Sequence, residues 1–295
     1  MRRFTTSLLS FLLPLGLPVL THADLANAVQ AMEDTSHPLI LMRTSRGDIY
    51  VELFPESAPR NVANFIALAE GQVPLFDVAT QQEVQPNYYD YRVFYRIMRN
   101  TLVQAGAPRS LEDAHPEYSV IDEINARDLG LNDAKVLDET GAPNPLLNLA
   151  DRQAFEDSIL IPLYRKLGIE TPEALESRQF EVHKALREMS LRQAYENLGY
   201  RYNDRLSARP PLRGSLAMAQ AEPNSNQAEF YFLLQDAPWL AGRTTVIGEV
   251  VDGMEFVDRI DQGAVLRGDS TEPTPTTATM IFDVRQVNAP PSPTP

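Results

Sequence analysis

The sequence predicts a mainly β body interrupted by a block of helices, and three observations carry that expectation. Short apolar runs bounded by turn residues recur between Leu39 and Ala105 and again between Gly214 and Val287, the texture of strands. Between about Leu149 and Tyr200 glycine is scarce and helix-forming residues dominate. The strands on either side of that stretch are too few to fold separately, so both sets are expected in one domain with the helical block inside it.

Ahead of the first strand, Arg2 and Arg3 precede the short apolar stretch Leu8 to Leu20, and Thr21-His22-Ala23 follows. Positive charge, apolar run and small residue, in that order, predict a cleavable secretory signal over residues 1–23 and hence a periplasmic or secreted protein. Pro14 and Pro18 break the run, so no integral membrane anchor is expected from it or from any other segment. Removing the signal takes away two arginines and no acids, which moves the formal charge from -14 to -16. Such an excess of acid repels nucleic acid and anionic lipid, so neither is expected as a partner. There is no cysteine, which excludes disulfides, thiol nucleophiles and thiolate metal sites. His37, His115 and His183 share no ligand spacing, so no metal is expected. A phosphate-cradling glycine loop and a serine nucleophile elbow are absent too.

Leu39 to Leu53 (LILMRTSRGDIYVEL) reads as two strands about the turn Ser45-Arg46-Gly47-Asp48. Ser57 to Gly71 has helical punctuation: a capping Ser57, Pro59 in the first turn and a terminal Gly71. Val62, Phe65, Ile66 and Ala69 give that helix a core-facing stripe. Two short strands follow in FYRIMRNTLVQAGAP, Phe94 to Pro108, turning at Arg99-Asn100. In the helical block Phe155, Ile159 and Leu163 step by four along one helix, which Pro162 should kink or break. Thr171-Pro172 opens a second, longer helix continuing through Val182, Leu186 and Met189, so an α-helical hairpin is expected over about residues 130–205. Strands resume at Gly214 to Ala219, Phe230 to Leu234 and Thr245 to Val251. A short helix at Met254 to Ile260 and a strand at Met280 to Val287 complete the pattern. The proline-rich tail, residues 289–295, is expected to be disordered. Glycine-centred turns account for the triplets Arg46-Gly47-Asp48 and Arg267-Gly268-Asp269, and a solvated face accounts for the alternating charges from Arg178 to Arg192.

On a two-residue period Arg96 and Gln104 point to the same face, so a hairpin turned at Arg99-Asn100 holds a guanidinium beside an amide over an apolar surface. The residues alone leave two readings open: a structural arginine and a catalytic one.

Four stretches decide between them by likeness: TSRGDIYVELFPESAPRNVANFIAL, FYRIMRNTLVQAGAP, GSLAMAQAEPNSNQAEFYFLL and WLAGRTTVIGEVVDGMEFVDRI. In this order and spacing they resemble the cyclophilin family of peptidyl-prolyl isomerases. Pro116 to Ile124 (PEYSVIDEI) resembles the bacterial form of the segment before the family's long loop. The resemblance covers about residues 38–125 and 208–288, and implies a domain over 38–288 interrupted by a helical block that the minimal family lacks. It implies a closed eight-stranded antiparallel barrel with two capping helices, and isomerisation of X–Pro bonds during folding of exported proteins. No cofactor is implied.

The resemblance also assigns residues. Arg96 matches the catalytic arginine and Gln104 the glutamine that holds it. Leu102, Tyr231 and Leu240 match the proline pocket, with Tyr231 where the family usually has phenylalanine. Ala219, Trp239 and Gln220 match further groove positions, Gln220 standing for an asparagine whose contact to substrate is made through backbone. Thr101 replaces an aromatic pocket residue, and Thr244 stands where eukaryotic members carry histidine. Glu229 replaces a glutamine close to the arginine, where a carboxylate either locks Arg96 in place or occupies its donors. A rival expectation is a catalytically weak client-binding chaperone or scaffold with the helical block as its working surface. Proline-containing polypeptides are the expected partners in either case, and the oligomeric state stays open, with a monomer as the default.

Overall fold

A computed structural model describes residues 23–108, 110, 113–262, 264–265, 274–275 and 278–288. The expected signal, apart from its last residue, and the expected disordered tail lie outside the described residues. Helix α1 (Leu25–Ala31) starts at Asp24, whose carboxylate accepts the Ala26 N–H. Strands β1 (Leu39–Thr44) and β2 (Gly47–Leu53) form the first hairpin, and α2 (Pro59–Ala69) follows. A small hairpin, β3 (Leu75–Asp77) and β4 (Gln82–Val84), precedes β5 (Arg96–Met98) and β6 (Leu102–Ala105). After the helical block come β7 (Ser215–Met218), β8 (Phe230–Leu233) and β9 (Val246–Asp252). Strands β10 (Ala264–Val265) and β11 (Thr274–Pro275) pair with each other, between the helix after β9 and the final β12 (Ile281–Asn288).

Eight strands make one antiparallel sheet in the order β12-β1-β2-β9-β7-β8-β6-β5. The two sets of strands therefore interleave: β2 pairs with β9 and β6 with β8, across the whole helical block. The sheet curls into a half-barrel and is not the closed barrel that the resemblance implies, since no ladder joins β12 to β5 among the described residues. Backbone contacts run instead between the segment just ahead of β5 and the start of β12, where Phe94 N–H donates to Thr279 O at 3.0 Å and Ile281 N–H to Arg92 O at 2.8 Å. These contacts satisfy a few edge groups that would otherwise be left unpaired, without closing the sheet.

The inner face of the sheet is apolar, and Ile40, Ile49, Val103, Leu216, Phe230 and Phe232 are fully buried there. Phe65 of α2 joins this core, stacked on Tyr89 and edge-on to Phe230. The N-terminus of α2 departs from the expected Ser57 cap. Its capping position is Ala58, which offers no side-chain acceptor. Glu123, buried and distant in sequence, supplies it: the carboxylate accepts the Arg60 N–H at 3.0 Å, the Asn61 N–H at 2.9 Å and Asn61 Nδ2 at 2.9 Å. A negative group at the first turn satisfies orphan donors and complements the helix dipole. The cap also ties the segment around Ile121 to Ile124 onto the sheet body.

The helical block has its own apolar cluster, in which Leu131, Ile159, Leu163, Leu191, Ala194 and Tyr195 are buried. It is more divided than the expected hairpin. Helix α3 (Arg152–Phe155) passes through a π turn, Glu156–Leu160, into α4 (Ile161–Leu167). Pro162 lacks an N–H and cannot sit in an unbroken α ladder, so the widened turn in front of it is where the interruption falls. The expected long second helix is two: α5 (Pro172–Ser177) and α6 (Gln179–Glu188). The break lies at Arg178, which donates to the Leu167 carbonyl at the end of α4 and to the Glu181 carboxylate. Met189 lies beyond α6, and Ser190 with Gln193 forms a reciprocal cap that starts α7 (Leu191–Asn197). Helix α8 (Met254–Gln262) then follows β9, burying Phe256, Val257 and Ile260 against the sheet.

Candidate active site

The β5–β6 hairpin fixes the first two candidate residues. Asn100 takes a left-handed conformation in the turn (φ 54°), and the resulting register sets Arg96 directly opposite Gln104. Gln104 is in turn opposite Tyr231 on β8, and Tyr231 opposite Ala217 on β7. One row across four strands thus carries guanidinium, amide, phenol and a small residue on a single face. Arg96 Nη1 donates to Gln104 Oε1 at 3.4 Å.

The amide is oriented from its other end. Gln104 Nε2 donates to Glu229 Oε2 at 2.8 Å and lies 2.5 Å from the Tyr95 hydroxyl, which itself donates to the same carboxylate oxygen. With its nitrogen held by Glu229, Gln104 presents its oxygen to Arg96. Gly106, just past β6, makes this approach possible: its φ is +92°, and a Cβ there would meet the Ala228 carbonyl oxygen at 2.5 Å. A larger residue would push the chain bearing Glu229 away from Gln104.

The floor of the site is a small apolar cluster around Leu102 and Tyr231, with Ala219, Trp239 and Leu240 packed at its edge. The Tyr231 hydroxyl donates to Thr244 Oγ1 at 2.7 Å, and Thr244 donates to the Met218 carbonyl at 3.2 Å. Burial pushes the Tyr231 hydroxyl up to about 12, so it stays a neutral donor. Thr101 turns its hydroxyl to the Arg99 carbonyl at 3.2 Å, away from competition for the floor.

Buried Asp122 organises the opposite wall. Its carboxylate accepts Asn224 N–H at 2.9 Å, Asn226 Nδ2 at 3.0 Å, Gln220 Nε2 at 3.3 Å and Thr245 Oγ1 at 3.3 Å. Burial raises its pKa above the ordinary carboxylate value, while these four hydrogen bonds act in the other direction. The Gln220 side chain is therefore committed to the wall, donating also to the Arg243 carbonyl at 3.2 Å, and the neighbouring Ala219 N–H donates to the Glu229 carbonyl at 2.8 Å.

All eleven candidate residues border one groove of about 740 Å³. It is also bordered by residues that sequence reasoning passed over: Ser119, Asn148, Tyr200 and Arg243. Asn148 and Tyr200 come from the helical block, which lies outside the motifs that carry the resemblance and so has no residue-by-residue guide. Tyr95 was missed for a different reason. A strict two-residue alternation sends it to the face opposite Arg96, but it precedes β5, where the pleat does not yet bind it. Among the described residues no group of three or more His, Asp or Glu side chains could hold a metal.

A family model described as cyclophilin type peptidyl-prolyl cis-trans isomerase/CLD matches residues 39–285. Peptidyl-prolyl cis-trans isomerase B of Streptomyces anulatus is 33% identical over 221 residues, covering 74% of this chain and 81% of that protein. Peptidyl-prolyl cis-trans isomerase 9 of Schizosaccharomyces pombe is 25% identical over 223 residues, 76% of this chain but only 22% of that protein. Among solved structures, a Cryptosporidium parvum cyclophilin type isomerase determined in the presence of the dipeptide Ala-Pro matches with a TM-score of 0.46 at 17% identity, covering 85% of this chain and 99% of that one. A cyclophilin from Hirschia baltica matches with a TM-score of 0.46 at 16% identity, over 85% of this chain and 74% of that one.

Proposed function

The chain belongs to the cyclophilin family of peptidyl-prolyl cis-trans isomerases, and from that premise we propose that the groove isomerises X–Pro bonds in exported polypeptides with Arg96 acting on the proline nitrogen. What supports the reading most is convergence: candidate residues from three separate stretches of sequence, 96–104, 219–231 and 239–244, border one groove, with Arg96 at its hydrogen-bonded edge and an apolar floor beside it. An X–Pro bond rotates slowly because amide resonance must be lost, and a donor to the proline nitrogen stabilises the pyramidal nitrogen of the twisted state. A guanidinium suits this task because it stays charged and presents rigid donors. The floor formed by Leu102, Tyr231 and Leu240 takes the ring, and Gln104 with Glu229 holds the guanidinium in position. Export is supported by the positive and apolar residues of positions 1–23, and the block of about 130–205 is read as an insertion in the family domain. The direct test is line-shape or exchange NMR of an Ala-Pro peptide, which needs no coupled protease. Cis–trans exchange no faster with the protein than without it would overturn the reading in favour of a non-enzymatic client binder.

Two further variants probe the parts. Glu229→Ala is expected to lower kcat/KM roughly tenfold, about 1.4 kcal/mol, by freeing the Gln104 amide to turn its nitrogen towards Arg96. Glu229→Gln keeps an acceptor and is expected to restore most of that loss; a rate as low as that of the alanine variant would show that the charge, not the acceptor, matters. Thr101→Phe is expected to lower KM several-fold, because added apolar area beside the ring contributes on the order of 1 kcal/mol. An unchanged KM would place Thr101 outside the ring's reach.

A further inference from the structure

The helical block does more than pack beside the groove. The turn at Pro145–Leu147 lies against the turn at Pro238–Leu240, which carries two groove residues. Next to it Asn148 adopts a left-handed conformation and borders both the proline groove and a second groove of about 780 Å³. That second groove is cut wholly into the helical block, with Leu137, Pro143, Leu149, Phe155 and Leu186 as its apolar walls. Its rim is basic: Arg152, Arg187 and His183 face one acid, Asp151, whose carboxylate already caps α3 through the Ala154 N–H. Among the described residues Arg152 and Arg187 have no ion-pair partner. A smaller depression of about 440 Å³ continues past His183 and Arg187 to Lys184, Glu188 and Phe180, and Phe180 is 84% exposed. In a chain of formal charge -14, an apolar channel edged by unpaired arginines is a local reversal.

We propose that this channel is a second binding stretch for the same client, taking an extended apolar segment with carboxylates that runs on from the proline over Asn148. The inference rests on the isomerase reading of the groove, which defines where the client's proline sits. Continuity through Asn148 supplies the path, the apolar walls take alternate side chains, and the arginines select acids over bases. A proline presented in an unfolded acidic, hydrophobic segment would then be held at two places, which raises its local concentration at Arg96.

The test compares three labelled peptides on the full chain: a short Ala-Pro peptide, and two longer ones carrying a Leu-Phe-Asp-Leu-Glu stretch before or after the proline. One long peptide is expected to bind at least roughly tenfold more tightly than the short one, a gain that falls with salt. The double variant Arg152→Glu, Arg187→Glu should abolish the gain while short-peptide exchange continues at the wild-type rate, and Phe180→Ser should reduce it. Equal affinity for short and long peptides in the wild type, or a gain that survives the double variant, would overturn the proposal. Self-association lost in the double variant, with peptide binding unaltered, would overturn it in favour of a second copy of this chain. Failure of the isomerase reading is separately visible, as absent exchange of the short peptide in the wild type.

Discussion

Arg96→Ala is expected to lower kcat/KM for an Ala-Pro peptide by roughly two orders of magnitude, on the order of 3 kcal/mol, which is the usual cost of deleting one preorganised donor to a developing charge. On the proposed reading the loss should fall on kcat more than KM, because the apolar floor of Leu102, Tyr231 and Leu240, and not the guanidinium, would take the ring. Arg96→Lys should recover little, since a single ammonium cannot reach the proline nitrogen and stay bonded to Gln104 Oε1 as a forked guanidinium can. Arg96 is half-buried at the end of a short strand and not part of the core, so the thermal midpoint should move little. Exchange NMR reads the rate, and circular dichroism the fold. Equal rates for wild type and Arg96→Ala would remove the arginine from the chemistry and leave the groove as a binding cleft.

Asp122→Ala is expected to cost about 3 kcal/mol of stability, because it strands several buried donors at once. Asn226 is fully buried and its Oδ1 already lacks a partner, so it has no spare bond with which to compensate. Thr245 would lose its acceptor in the interior, and Gln220 and the Asn224 backbone would lose theirs at the groove wall. Urea denaturation should show a lower midpoint at an unchanged slope. The same variant should raise KM through the slackened wall, with kcat affected less, since the Asp122 carboxylate bonds Gln220, Asn224, Asn226 and Thr245 and neither Arg96 nor Gln104. A midpoint within experimental error of the wild type would mean that water replaces the carboxylate and that the network is not structural.

The sequence by itself determined what is local or repeated. Alternation between Arg96 and Gln104 set both on one face, and turn residues at Arg99-Asn100 put them in register, because a hairpin's geometry is written within a dozen residues. Spacing likewise marked α2, in whose expected stripe Val62, Phe65 and Ala69 are buried and Ile66 is partly buried. Likeness to a known family carried the rest of the candidate site, down to residues more than a hundred positions apart. Its limits were those of the likeness: the motifs that carry it lie outside the helical block, so neither the division at Arg178 nor the contribution of Asn148 and Tyr200 to the groove could be foreseen.

Tertiary structure decided every partnership between distant polar groups. The cap of α2 comes from Glu123 and not from neighbouring Ser57, the Gln104 amide is oriented by Glu229 and Tyr95, and Asp122 gathers four donors from the 220–226 loop and Thr245. The physical reason is common to all three. A buried carboxylate or amide must find partners wherever the chain brings donors within about 3 Å, and that proximity is a property of the folded surface as a whole. Hydrophobic periodicity records which face of a segment is buried, and does not record what a buried charge will meet there.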